Sequence, residues 1–164
     1  MKIAARLRII LLPFCCLLAG CVFDTPPNVL VQDVSVSAVG EGSPAAVELG
    51  IDLRLENTTK DPIQLETFEY TFTTTGGDRW SGSWSALRTL PARESFSMRI
   101  PAVIPDPFSS PDPDTGWRVE GTVSYKAPGR WAQILFDTGF RRPTHDFRGQ
   151  GPAIRPIRSN QSSN

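Results

Sequence analysis

Val47-Glu48-Leu49-Gly50-Ile51-Asp52-Leu53-Arg54-Leu55-Glu56 sets large apolar side chains at every second position. A period of two puts Val47, Leu49, Ile51, Leu53 and Leu55 on one face of an extended strand. The other face carries charge, as in an antiparallel sheet with one side on a core and one in water. Trp117, Val119, Gly121, Val123 and Tyr125 repeat the pattern, and so do Phe96, Met98, Ile100 and Ala102. Ile63 and Leu65 lead to Phe68, Tyr70 and Phe72 with a one-residue slip at Glu66-Thr67, which predicts a β-bulge. Val29 and Val31, then Val34 and Val36, slip likewise at Gln32-Asp33. Gly76-Gly77 reads as a hairpin turn leading to a short strand on which Trp80 and Trp84 share a face. Ile134 to Phe140 supplies a last strand.

These segments predict an all-β domain over residues 29–140, an antiparallel sandwich of about seven strands of the fibronectin type III or immunoglobulin-like kind. Helical periodicity of useful length is missing from the chain that follows residue 20. Pro105 to Gly116 holds Pro105, Pro107, Pro111 and Pro113 with Asp106, Asp112 and Asp114, and reads as a long loop. Residues 141–164, rich in Pro, Gly, Ser and Arg, read as a disordered basic tail that folding does not need.

The N-terminus carries an address. Lys2, Arg6 and Arg8 precede the apolar run Ile9 to Leu18, and Leu18-Ala19-Gly20-Cys21 forms a lipobox. The run is broken by Pro13 and is short of the roughly 20 residues a spanning helix needs. Residues 1–20 are therefore expected to be a cleaved lipoprotein signal peptide. Cys21 becomes the lipid attachment site, bearing diacylglyceryl and N-acyl chains, and residues 21–28 become the tether. Two or more acyl chains hold a protein stably on a bilayer. Val22 stands where Asp would signal inner-membrane retention, so the expected place is the outer membrane, facing the periplasm. Cys15 and Cys16 leave with the signal peptide, and the remaining chain must fold without disulfides.

Charge is uneven. From Cys21 to Phe140 there are 9 basic and 16 acidic residues, a net −7, whereas residues 141–164 carry five arginines against Asp146, a net +4. An acidic body argues against nucleic acid as a partner. Arg141, Arg142 and Arg148 could meet anionic lipid headgroups. Trp80 and Trp84, if exposed, could instead lie against another envelope protein.

The order of motifs in the body resembles the late embryogenesis abundant group 2 domain, also called the water stress and hypersensitive response domain. The resemblance rests on Val47 to Asn57, on Asp61-Pro62-Ile63-Gln64-Leu65 leading to Phe68-Glu69-Tyr70-Thr71-Phe72, on Thr89-Leu90-Pro91-Ala92 before Ser95 to Pro101, and on Trp117 to Val123. It covers about residues 28–140. The turn Asn57 to Pro62 is three residues longer up to its proline than the family's Asn-Pro-Asn. The resemblance implies a seven-stranded sandwich and a non-enzymatic role in desiccation or envelope stress, with no catalytic residue to carry over.

Residue chemistry points the same way. A nucleophilic site needs a rigidly held histidine, and the only one, His145, falls in the expected tail. Zinc wants three or four Cys or His ligands. The aspartates of the proline-rich loop lack calcium-loop spacing. Glu66 with Glu69, and Glu48 with Asp52, fall on faces expected to be solvated. No metal, cofactor or enzymatic activity is therefore expected. The alternative role is an assembly lipoprotein that docks its sandwich on another envelope protein.

Overall fold

A computed structural model describes residues 25–39, 46–105 and 115–155. The signal peptide, the first half of the tether with Cys21, and the greater part of the proline-rich loop lie outside the described residues.

Among the described residues, seven strands form two antiparallel sheets. β1 (Asn28–Val39), β2 (Ala46–Glu56) and β5 (Ser95–Pro105) make a three-stranded sheet in the order β1-β2-β5. β3 (Ile63–Thr74), β4 (Arg79–Leu90), β6 (Trp117–Lys126) and β7 (Thr144–Gly151) make a four-stranded sheet in the order β4-β3-β6-β7. This is the sandwich expected from the alternation. Leu49, Ile51, Leu53 and Leu55 on one inner face, and Phe68, Phe72, Val119 and Val123 on the other, are fully buried. The Tyr70 hydroxyl donates across the gap to the Pro101 carbonyl of β5. Burial raises the Tyr70 pKa, so the phenol stays protonated and remains a donor.

Both expected slips are present. Register shifts between Val31 and Asp33 on β1, and between Leu65 and Phe68 on β3. β4 has its own irregularity between Ser85 and Arg88, where Leu87 takes a positive φ of 44°. A bulged, twisted edge strand is a poor template for pairing with another chain. The turn at Gly76-Gly77 closes through Gly77 N–H donating to the Thr74 carbonyl at 3.1 Å.

Two expectations are corrected after residue 126. Ile134 to Phe140 is not a strand: Arg130–Asp137 forms a helix, α1, so the domain is not free of helix. Trp131, Ile134 and Leu135 at i, i+3 and i+4 share one helical face, but eight residues give too short a pattern to separate from a strand. The tail is not disordered as far as Arg155, and the domain does not end at residue 140. β7 pairs with β6 from Trp117–Gly151 to Ser124–Thr144. Phe147 and Ile154 are buried in the core, with the Phe147 ring edge-on to Phe68 at 5.8 Å. β7 escaped the reading because two of its core-facing positions are glycines. A Cβ on Gly149 would stand 2.4 Å from Val31, and one on Gly151 would stand 2.6 Å from the Trp117 ring. Close approach of a neighbour demands glycine there and erases the apolar alternation.

Asn57 ties two loops together at one end of the sandwich. It is buried, and its Nδ2 donates to the carbonyls of Asp61 at 2.8 Å, Pro91 at 3.0 Å and Leu90 at 3.3 Å. Its Oδ1 accepts from the Thr59 N–H at 2.9 Å and the Thr59 hydroxyl at 2.7 Å. Only an amide offers donors and an acceptor in this arrangement. Asn57→Ala should cost about 2 kcal/mol, a drop of roughly 6–10 °C in melting temperature. Asn57→Asp should cost at least as much, because a carboxylate would face carbonyl oxygens. A silent Asn57→Asp variant in thermal melts would contradict this role.

Candidate functional site

The chain enters the sandwich at Asn28, and the neighbours of that point define the candidate site. β1 and β7 run side by side in the same direction: Asn28 and Val29 border a hollow with His145 and Phe147, Val31 lies over Gly149, and Ser35 forms a parallel bridge with Arg155. The starts of β1 and β7 therefore share one pole. The connection from Lys126 to Thr144, which contains α1, leads into the start of β7 and lies at the same pole.

That connection is built rather than loose. Past Asp137, the Thr138 N–H donates to the Ile134 carbonyl at 3.0 Å, and Gly139, with φ 73°, donates to the Phe136 carbonyl at 2.9 Å. Arg141 N–H donates to the Leu135 carbonyl at 3.0 Å. The glycine takes the left-handed turn that ends many helices. On the inner side, Lys126 Nζ donates to Asp137 Oδ1 at 3.0 Å and lies 4.9 Å from the centre of the Phe136 ring. Arg142 lies 5.8 Å from the same ring, so two cations flank it. The hydrogen bond to Asp137 raises the Lys126 pKa and keeps its ammonium charged.

On the outer side the large side chains are bare. Trp131 is 79% exposed, Phe140 83% and Ile134 43%. None of α1 is buried. These residues were not among the candidates read from the sequence. For Trp131 and Ile134 the signal was their i, i+3, i+4 spacing with Leu135, which straddles the start of the segment Ile134 to Phe140 taken for a strand; Phe140 lies outside that spacing.

The sequence candidates separate. Trp80 is half-buried, with its ring 5.2 Å from Tyr70, and packs against the core. Trp84 is 40% exposed on edge strand β4, opposite Phe68. Arg141 and Arg142 stand beside α1. Arg148 is on β7 opposite Glu120 and borders a shallow polar hollow with Arg118. Arg155 is ion-paired with Asp33 at 2.9 Å. Among the described residues, the arginines of the C-terminal segment thus do not form one patch. Cys21, Asp106, Asp112 and Asp114 lie outside the described residues.

Glu69 is exposed, whereas Glu66 is half-buried at the bulge, with Oε1 3.7 Å from Lys126 Nζ, an ion pair without hydrogen-bond contact. Asp52 is held by Arg99 through two contacts of 2.7 and 2.8 Å. The outer face of the four-stranded sheet carries Thr71, Thr73, Glu120 and Thr122 around an open hollow of about 880 Å³. Among the described residues, no three His, Cys, Asp or Glu side chains gather closely enough to hold a metal ion.

The chain matches no model of a known protein family and no curated protein sequence. Its fold does match solved structures. The solution structure of a putative late embryogenesis abundant protein, At2g46140.1, aligns with a TM-score of 0.58 at 13% identity, covering 90% of this chain and 81% of that one. The solution structure of AT1g01470 from Arabidopsis thaliana aligns with a TM-score of 0.55 at 16% identity, covering 80% and 83%. The X-ray structure of the structural-genomics target SoR45 aligns with a TM-score of 0.50 at 14% identity, covering 80% and 88%. At these identities the likeness is one of fold. It is the fold that the motif order of β2, β3, β5 and β6 predicted.

Proposed function

We propose that this protein is a bacterial envelope lipoprotein, anchored through acylated Cys21, whose sandwich has a non-enzymatic protective role during water loss. The observation that carries the reading is the lipobox Leu18-Ala19-Gly20-Cys21, placed seven residues before the first strand. A tether that short reaches at most about 25 Å, so the domain works next to the membrane, with the outer membrane its expected place. The likeness in fold to a putative late embryogenesis abundant protein supports the stress role. The polar outer face of the four-stranded sheet suits a surface that keeps water near the membrane. The anchor is the one covalent addition in this reading, and nucleic acid has no part in it.

Replacing Cys21 with Ser should abolish incorporation of a clickable fatty acid and leave the precursor uncleaved. Equal labelling of wild type and variant would remove the anchor. Survival after air-drying tests the role. A strain lacking the protein should survive less well, and the Cys21→Ser chain should fail to restore it. Full rescue by the unanchored chain would separate protection from the membrane.

A further inference from the structure

We propose that the outer face of α1, together with Phe140, is a membrane seat: Trp131, Ile134 and Phe140 enter the interfacial layer of an anionic bilayer, and Arg130, Arg141 and Arg142 meet its headgroup phosphates. The proposal rests on the lipid-anchor reading for its setting, but its evidence is separate.

Three large apolar side chains stand out of the surface within ten residues, on a helix and turn locked by hydrogen bonds. Exposure here is thus a property of the folded state. A short amphipathic helix with tryptophan and isoleucine on its bare face, an exposed phenylalanine in the turn that follows, and arginine at its margins has the composition of an interfacial segment. Tryptophan favours the headgroup level, where its ring is apolar and its N–H remains wet. α1 is too short to span.

Charge complements the surface. Residues 130–142 carry three arginines and one acid, Asp137, which is engaged by Lys126. Each cation near an anionic surface contributes about 1 kcal/mol. Position agrees as well. α1 lies at the pole where the chain from Cys21 enters at Asn28, so a tether of at most about 25 Å brings this pole toward the bilayer.

The size of the patch favours lipid over a protein partner. Aromatic side chains bury about 150–250 Å² each, so Trp131, Ile134 and Phe140 supply well below the roughly 800 Å² per partner of a stable protein interface. An interfacial contact that only orients an already anchored domain needs far less.

Brominated-lipid quenching of the full acylated protein tests this. The protein is reconstituted in phosphatidylethanolamine–phosphatidylglycerol vesicles with and without bromine on the acyl chains. Bromine should quench part of the emission, and that loss should be carried by Trp131, one of four tryptophans. Trp131→Phe keeps the face apolar and should remove the bromine-dependent loss. Arg141→Gln with Arg142→Gln should reduce it, as should high salt.

Equal quenching of wild type and Trp131→Phe, or none in protein whose Cys21 carries acyl label, overturns the seat and leaves the anchor standing. Quenching of Trp131 at high lipid concentration in a chain without acyl label keeps the seat and removes the anchor. Trp131 shielded from acrylamide on native envelope membranes, yet open to it on vesicles of extracted lipid, overturns the seat in favour of a protein partner.

Discussion

Ending the chain at Phe140 is expected to unfold the domain, the opposite of what a disordered tail would predict. The cut removes β7 and with it the ladder to β6 from Trp117–Gly151 to Ser124–Thr144. It takes Phe147 and Ile154 out of the core and breaks the hydrogen bond from Trp117 Nε1 to the Ala153 carbonyl at 2.9 Å. Loss of a buried Phe costs about 3–5 kcal/mol and of a buried Ile about 2–5. Together these approach or exceed the whole stability of an ordinary domain, about 5–15 kcal/mol. The remaining chain would also present β6, with Val119 and Val123 behind it, as a new sheet edge prone to pairing with other chains. Near-ultraviolet circular dichroism and gel filtration of the truncated protein should show lost tertiary signal and aggregation. Phe147→Ala in the full-length chain gives a graded version, with a loss of about 3–5 kcal/mol. A truncated protein with the full chain's melting temperature would mean that β7 contributes nothing to the core.

Val119→Asp and Ile51→Asp form the second large effect. Val119 lies in the middle of the four-stranded sheet between Phe72 and Gly149. Ile51 lies in the middle of the other sheet between Val34 and Ile100. Both are completely buried among apolar side chains. A carboxyl group at either position meets no donor or cation, and the cost is several kcal/mol even after the group takes up a proton. Either substitution should leave little folded protein at room temperature.

The adjacent outward residues give the contrast. Glu120→Ala removes only a 4.0 Å pair with Arg118 between side chains more than 60% exposed, so it should be silent within about 0.5 kcal/mol. Asp52→Ala removes the two-contact pair with Arg99, in which the Arg99 side chain is 55% exposed and the Asp52 side chain 29%, and should cost up to about 1 kcal/mol. Chemical-denaturation midpoints for the four variants decide the matter. Folded aspartate variants beside unfolded alanine variants would mean that the faces are inverted by one register.

Face assignment was legible because strands that cross a core announce it every second residue. Val47 to Leu55, Phe96 to Ala102 and Trp117 to Tyr125 all bury the side read as apolar, though Phe96 and Met98 at the start of β5 are only partly covered. The bulges at Gln32 and Glu66 were legible for the same reason, since a slip in the period has no other cheap explanation. The Gly76-Gly77 hairpin follows from local chemistry that needs no partner, whereas the Asn57 to Pro62 turn was read through the family resemblance and is held by the distant Leu90 and Pro91 carbonyls.

Where a neighbour decides the residue, the sequence by itself was silent. β7 contributes Phe147 to the core but has glycine where Val31 and Trp117 come too close for a side chain, and that crowding exists only once β1 and β6 are in place. α1 presents an apolar run that suits helix or strand, and the bond network from Thr138 to Arg141 selects the helix. Arg141, Arg142, Arg148 and Arg155 look alike along the chain. The fold divides them among the α1 pole, the outer sheet face and an ion pair with Asp33. Alternation determined which side of each strand meets the core, because burial acts on each residue separately. The meeting of α1 with the pole that holds Asn28 was decided by strand pairing between segments more than 100 residues apart.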